Sequence, residues 1–337
     1  MANFFQVELK STKSTLDGIN LFEIINKGNL NKLITSNKLL TQSWLNFDNE
    51  KNQLLDYKGQ ATQTCEYNND VNNYMMIPVK YKKTNNFTFG RVYPVGSLSL
   101  CTIRKEVRQT IGNNIYVDID VENAHPNLIY QTCKYHNIKC DTLEDYINNK
   151  QVKLDEVMRV YKVDRENAKN LFIILLYFGS FKTWIRNNNL DIDLQPTEYI
   201  TAFIKERAIY GKFIEDNNEA IYLEVKASKT KKQIYTFNET ASVVSVWCQE
   251  LENRILECIY KYCLKNKYIN DKIAVLCYDG LMIETKYYKD SILDSLNKLI
   301  KKNFGYDLKF VKKSFDKVIN LDIPDSGLDS DNVDSDN

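Results

Sequence analysis

Two short apolar runs that carry aspartates, "YVDIDVENAHP" at 116–126 and "VLCYDGLMIE" at 275–284, stand far apart, with helical spacing between them. Asp118 and Asp120 sit two apart, so on a strand both carboxylates leave one face. Two carboxylates at one strand end are costly to bring together unless a cation lies between them. A sheet holding both runs must close over the intervening helices. An α+β fold with a sheet assembled from distant segments is therefore expected. Each run also has a plainer reading. Asp279-Gly280 suits a two-residue turn, and Asp118-x-Asp120 fits a solvated strand end ahead of a helix cap. Asp-x-Asp also occurs in metal-dependent sugar transferases, so it names no reaction.

The rest of the chain divides in the same way. Residues 1–60 read as mostly helical, with "LFEIINKGNLNKLITSNKLL" at three- and four-residue apolar spacing. From 74 to 120 the pattern is strand-like: "YMMIPVKY", "FTFGRVYPV", then "NNIYVDIDV". Residues 121–212 return to helix, followed by a lysine-rich ribbon, "YLEVKASKTKKQIYTF", at 222–237. An amphipathic helix over 240–264 puts Val243, Trp247, Leu251 and Ile255 on one side. The apolar pair of strands around Asp279, a helix near 289–303 and a last strand, "DLKFVKKSF", complete the reading.

Charge narrows the function classes. The net charge of +1 conceals a tail, 321–337, with six aspartates and no base, which leaves residues 1–320 at +7. A moderately basic body with an acidic tail too poor in apolar residues to fold fits a polyanion binder. Arginine is scarce, 8 against 37 lysines, yet Arg91, Arg104, Arg108, Arg159 and Arg165 fall within one quarter of the chain. Arginine's planar fork grips phosphate as lysine cannot. No apolar run is long enough to span a membrane, and the start lacks the pattern of a signal peptide, so a soluble intracellular protein is expected. Eight cysteines without a CxxC pair argue against a disulfide framework. Cys133, His136 and Cys140 gather three soft ligands without an evident fourth, which favours helix-borne thiols over zinc.

A third element is "DRENAKNLFIILLYFG" at 164–179. Asp164 can cap a helix whose apolar stripe is Leu171, Ile174, Leu175 and Phe178. Arg165 and Lys169 lie one turn apart on another face, with Phe172 continuing their row and Tyr177 close to it. Such a face can hold a triphosphate and stack a base. Standing alone, it would read as a surface ion-pair row on a packed helix.

In order and spacing the three elements resemble the family A DNA polymerases and the related single-subunit phage-type RNA polymerases. Asp120 stands where that family's first strand ends in aspartate, with His125 in place of its glutamate. Arg165, Lys169 and Tyr177 hold the register of its Arg-x3-Lys-x7-Tyr-Gly helix, with Phe178 inserted before Gly179. Tyr278-Asp279-Gly280 is similar to its hairpin, with Gly280 in place of the second acid. "TFGRVYPVGSLSLCTIRKEVR" and "NETASVVSVWCQELENRI" resemble the flanking segments. The resemblance covers roughly residues 86–285 and is strongest to the compact transposon–virophage polymerases, which are usually fused to a helicase.

That resemblance implies a right-hand architecture, with an antiparallel palm sheet, helical fingers and a small helical thumb-like part. The palm falls at 86–130 and 240–320, the fingers at 131–239, the thumb-like part at 1–85, and a disordered acidic tail at 321–337. It implies a DNA-directed DNA polymerase without a proofreading exonuclease, with a primase, an RNA polymerase of the same fold or a non-catalytic nucleic-acid-binding subunit as alternatives. Asp120 and Asp279 would be catalytic and hold two Mg²⁺ ions, for which Mn²⁺ can substitute. Asp118 is either an auxiliary ligand or a residue that orders the strand, the second being favoured. Arg165, Lys169, Tyr177 and His125 would bind the nucleotide. Arg91, Arg104, Lys229, Lys231 and Lys232 would contact nucleic acid. The implied partners are primed DNA template, dNTPs and a helicase joined to, or working with, the tail. A viral replication site in a host cell is the implied setting.

Overall fold

The structure is a computed structural model that describes residues 4–36, 47–70, 73–84, 87–96, 98–234 and 237–321. The acidic tail lies outside the described residues, apart from Leu321. Alternating burial builds the first sheet. In β1 (Asn20–Asn26) Leu21, Glu23 and Ile25 are buried on one face, and Ile24 is buried on the other. After α1 (Lys27–Thr35), α2 (Phe47–Gly59) and the short β2 (Gln63–Thr64), β3 (Tyr74–Lys83) buries Met75, Ile77, Val79 and Tyr81. β1 pairs antiparallel with β3 from Asn20↔Lys80 to Asn26↔Tyr74, and β4 (Val92–Pro94) adds to the other end of β3.

This corrects the helical reading of the N-terminal part. "LFEII" has spacing that suits either period, and the two-residue alternation of β3 decides for a strand by giving it a pairing partner. The helix begins where Asn26 accepts a hydrogen bond from the Asn29 amide at 2.8 Å. Glu23 of β1 is fully buried and takes hydrogen bonds from Tyr57, Tyr81, Ser99 and the Leu100 amide. Burial holds its carboxyl above the usual carboxylate range.

After α3 (Lys105–Gly112), β5 (Tyr116–Val121) enters the second sheet, every one of its residues buried. The helices α4 (Ala124–Tyr135), α5 (Asp141–Asn148), α6 (Lys150–Tyr161), α7 (Arg165–Leu176), α8 (Phe181–Asn187), α9 (Glu198–Asp216) and α10 (Glu219–Lys231) follow. Then α11 (Glu239–Lys265) leads to β6 (Val275–Cys277) and β7 (Gly280–Glu284), and the chain ends with α12 (Ser291–Phe304) and β8 (Phe310–Lys313). The sheet order is β6-β7-β5-β8, antiparallel throughout. The expected sheet of distant segments is present: β5 lies between β7 and β8, with the helices α4 to α11 inserted between β5 and β6.

The 222–237 stretch is helical as far as Lys231 rather than a ribbon. Ile221 and Val225, one turn apart, are the buried residues of α10, which packs on α11. Of "FTFGRVYPV", only Val92–Pro94 is strand. No helix among the described residues is long and apolar enough to cross a membrane.

Candidate active site

β5 runs into the β6–β7 hairpin through Asp118↔Met282 and Ile119↔Leu281. The next residue of β7, Gly280, is a point of closest approach. A Cβ built on it would stand 2.0 Å from the Ile119 carbonyl oxygen and 2.8 Å from Asp120 Cα. Glycine lets the two backbones touch there. Asp279, its neighbour, is thereby set beside Asp120.

The hairpin turn is therefore one residue earlier than Asp-Gly suggested. Cys277 pairs with Gly280, which leaves Tyr278 and Asp279 as the two-residue loop. Tyr278, not Gly280, has the positive angle, at φ 60°. A bulky residue held in that region is strained, a condition that clusters at functional sites. The Tyr278 ring packs edge-on to Tyr93, and the Arg91 guanidinium lies over it, 4.7 Å from its centroid.

Asp120 and Asp279 both line a cleft of about 520 Å³, together with Arg91, His125, Lys169 and Tyr177. Six sequence-predicted residues thus share one cavity. Lys169 projects from α7, which Asp164 caps by accepting from the Asn167 amide at 2.7 Å. The helix ends at Leu176 with Tyr177 as its cap, and Phe178 turns the chain with φ 62°. The inserted Phe178 has a packing role: its ring fills the space a side chain at Gly211 of α9 would need. His125 enters from the first turn of α4, where its Nδ1 meets the Tyr177 hydroxyl. Lys313 of β8 forms an ion pair with Asp120.

The remaining expected residues lie elsewhere. Arg165, at the exposed start of α7, reaches Gln151 rather than the cleft. Arg104 is no free phosphate contact: it is held by Glu50 at 2.8 Å in a largely buried pair. Lys229 and Lys232 line a separate depression with Phe87, Ser242 and Ser245, and Lys231 is exposed nearby. Asp118 does not line the cleft; it is buried with Arg108, Lys313 and Lys105 as neighbouring cations, and burial raises its carboxyl. That placement favours the strand-ordering reading. His136 is occupied by the Phe5 carbonyl at 3.0 Å, so it is not directed at a shared site with Cys133 and Cys140.

Glu252 was not legible as a site residue. It lies mid-way along α11, where a charged residue reads as part of a solvated face. In the structure its carboxylate is 4% exposed, with Arg91 at 2.7 Å and the His125 Nε2 at 3.3 Å. Burial, then the charge of Glu252, pushes the Asp279 carboxyl up to about 7. Burial likewise raises the Tyr177 hydroxyl well above the ordinary tyrosine range.

The raised Asp279 carboxyl gives a testable sign. Below pH 3.8 it is neutral in folded and unfolded chains alike, and above about 7 it is ionised in both. The contribution of Asp279 to the stability of the folded state is therefore lost progressively as pH rises between these values. Asp279→Asn, neutral throughout, is expected to match wild type near pH 4 and to exceed it by roughly 4 kcal/mol at pH 8 without divalent metal. Urea melts at both pH values check this; equal stabilities at pH 8 would contradict it.

The donor set fits a hard divalent cation. Asp120 and Asp279 are oxygen donors in a cleft with room for water and phosphate, and magnesium prefers one or two carboxylates plus such ligands. Asp279, driven toward neutrality by burial and by the charge of Glu252, is what a bound cation in the cleft would relieve.

No family model matches the chain. It is 29% identical over 320 residues to a protein of the Sputnik virophage, V13, whose name assigns it as a helicase. That match takes in 94% of this chain but 39% of the relative, so the chain spans well under half of the relative's length. Among solved structures it is similar to the POL domain of Pol1 from M. smegmatis in complex with DNA primer-template and dNTP. The TM-score there is 0.45 at 9% identity, over 80% of this chain and 52% of that one.

Proposed function

We propose that the chain is a template-directed nucleotidyltransferase, a DNA-dependent DNA polymerase that extends primers. The observation that carries this reading is the convergence of Asp120 and Asp279, from β5 and the β6–β7 hairpin, on one cleft that Lys169, Arg91, His125 and Tyr177 also line. Asp120 and Asp279 would hold the Mg²⁺ ions. When bound, such ions activate the primer hydroxyl and stabilise the departing pyrophosphate. Lys169 neutralises charge on the triphosphate, and Tyr177 with His125 forms the wall facing the nucleotide sugar. Arg91, fixed by Glu252 and Tyr278, borders the cleft as a contact for the primer–template end. Asp118 orders β5, and the lysines of α10 are candidates for backbone phosphate contacts at a distance from the chemistry.

In this reading the second sheet is the palm, α4 to α10 are the fingers, and the N-terminal part is a mixed sheet and helix unit. The helicase name of the relative is not carried over. The chain contains no Gly-x4-Gly-Lys-Ser/Thr phosphate loop and spans 39% of that protein. A helicase region joined to this chain in a longer protein, working at a viral replication site, is consistent with the relative's length and source.

The experiment is incorporation of a dNTP on a primed DNA with Mg²⁺, alongside a nucleotide-sugar donor without template. The Asp-x-Asp sugar-transferase alternative predicts turnover in the second assay alone. Within the polymerase reading, Lys169→Ala is expected to raise the KM for dNTP by about tenfold or more while DNA affinity is unchanged, since it removes a point charge from the triphosphate. Steady-state kinetics and a DNA-binding titration separate the two effects. A parallel fall in DNA affinity with normal nucleotide dependence would make Lys169 a template contact instead.

A further inference from the structure

Glu252 connects groups that the chain delivers from four different segments. Its Oε2 accepts from Arg91 at 2.7 Å and lies 3.3 Å from the Nε2 of His125. The other ring nitrogen of His125 faces the Tyr177 hydroxyl at the end of α7. With Nε2–H donated to Glu252, Nδ1 is left as an acceptor and Tyr177 donates to it. Arg91 in turn lies over Tyr278, the residue before Asp279. An ion pair that merely anchored the Arg91 loop would need no imidazole. The contact to His125 extends the carboxylate's influence to Tyr177.

We propose that Glu252 is the positioning residue for sugar selection. It fixes the ring of His125, and through it Tyr177, as the wall against which the incoming nucleotide's sugar packs. The inference rests on the nucleotidyltransferase reading above. With both ring nitrogens engaged, His125 has no N–H left to donate to a ribose 2′ hydroxyl, so the wall discriminates by shape. Without Glu252 the imidazole is released and its Nε2 becomes available to that hydroxyl, which would favour rNTP.

The test measures single-nucleotide incorporation of dNTP and rNTP by wild type, Glu252→Ala, Glu252→Gln, His125→Ala and the Glu252→Ala/His125→Ala pair. Glu252→Ala is expected to lower the dNTP-to-rNTP ratio of kcat/KM by about tenfold, mainly through a lower KM for rNTP. Glu252→Gln, which can still accept from Nε2–H, keeps most of the ratio. The double variant matches His125→Ala alone, because Glu252 acts through the ring. An active wild type whose ratio is the same in Glu252→Ala, or effects that add in the double variant, would overturn the inference. A wild type that incorporates neither nucleotide would instead overturn the nucleotidyltransferase reading itself. A second readout is independent of activity and of whether Glu252→Ala folds. The chain has two histidines, so imidazole nitrogen NMR, assigned with His125→Ala, reports the tautomer directly. The Nε2-protonated form is expected in wild type, and an Nδ1-protonated His125 would overturn the proposal.

Discussion

Asp279→Asn is expected to lower nucleotide incorporation by about three orders of magnitude while leaving a folded chain. The substitution keeps size and shape at the second position of the Tyr278-Asp279 loop, where asparagine is a normal turn residue. It removes the negative charge that a cation in the cleft would need. Asp120→Asn should behave alike in activity. It also loses the charged partner of Lys313, so it is expected to be the less stable of the two. Combined with the pH argument, Asp279→Asn should be inactive yet more stable than wild type at pH 8. A residue that costs stability and carries activity is what a strained functional site produces. Either variant extending primers near the wild-type rate would return Asp279 to the role of a turn former.

Gly280→Ala carries the largest expected effect on folding. The added Cβ would sit 2.0 Å from a backbone carbonyl oxygen and 2.8 Å from Asp120 Cα, neither of which belongs to a flexible side chain. The strands β5 and β7 must part at their closest point. The cost should reach about 3 kcal/mol or more, the scale of overpacking in a closed core. The same movement separates Asp120 from Asp279, so residual folded protein should be inactive. Urea denaturation measures the first effect. A loss below about 1 kcal/mol would mean that the two strands pack more loosely here. The close approach gives a physical reason for a glycine at this position: no side chain fits between β7 and β5.

The sequence made some of this legible and hid the rest for identifiable reasons. Asp120 and Asp279 each stand in a short apolar run, which alone reads as a turn or a strand end. The resemblance across three elements is what singles them out as candidates, and the stripe through Val243, Trp247 and Leu251 marks α11 to within a residue at each end. The sequence leaves β1 ambiguous because "LFEII" fits both periods, and the pairing with β3 that decides the matter is long-range. The turn at Tyr278 was misplaced because Asp-Gly has the strongest local turn signal. The need for a side-chain-free residue against Ile119 outweighs that preference. Glu252 gave no local signal at all. Its partners Arg91 and His125 are brought to it by packing, and a lone glutamate on a long helix is otherwise indistinguishable from a solvated one. Arg104 shows the converse: a phosphate-binding arginine and one paired to a distant Glu50 look the same in sequence.

The most direct measurement is primer extension by the purified chain on four labelled DNA duplexes that differ in the first unpaired template base, each supplied with all four dNTPs singly. In Mg²⁺ or Mn²⁺ the account predicts one-nucleotide extension with the complementary dNTP on each template. With EDTA, or with Asp120→Asn or Asp279→Asn, it predicts none. Extension that ignores the template base would contradict template direction. Duplex binding by the wild type without extension in either metal would make the chain a non-catalytic nucleic-acid-binding subunit, and would contradict the account.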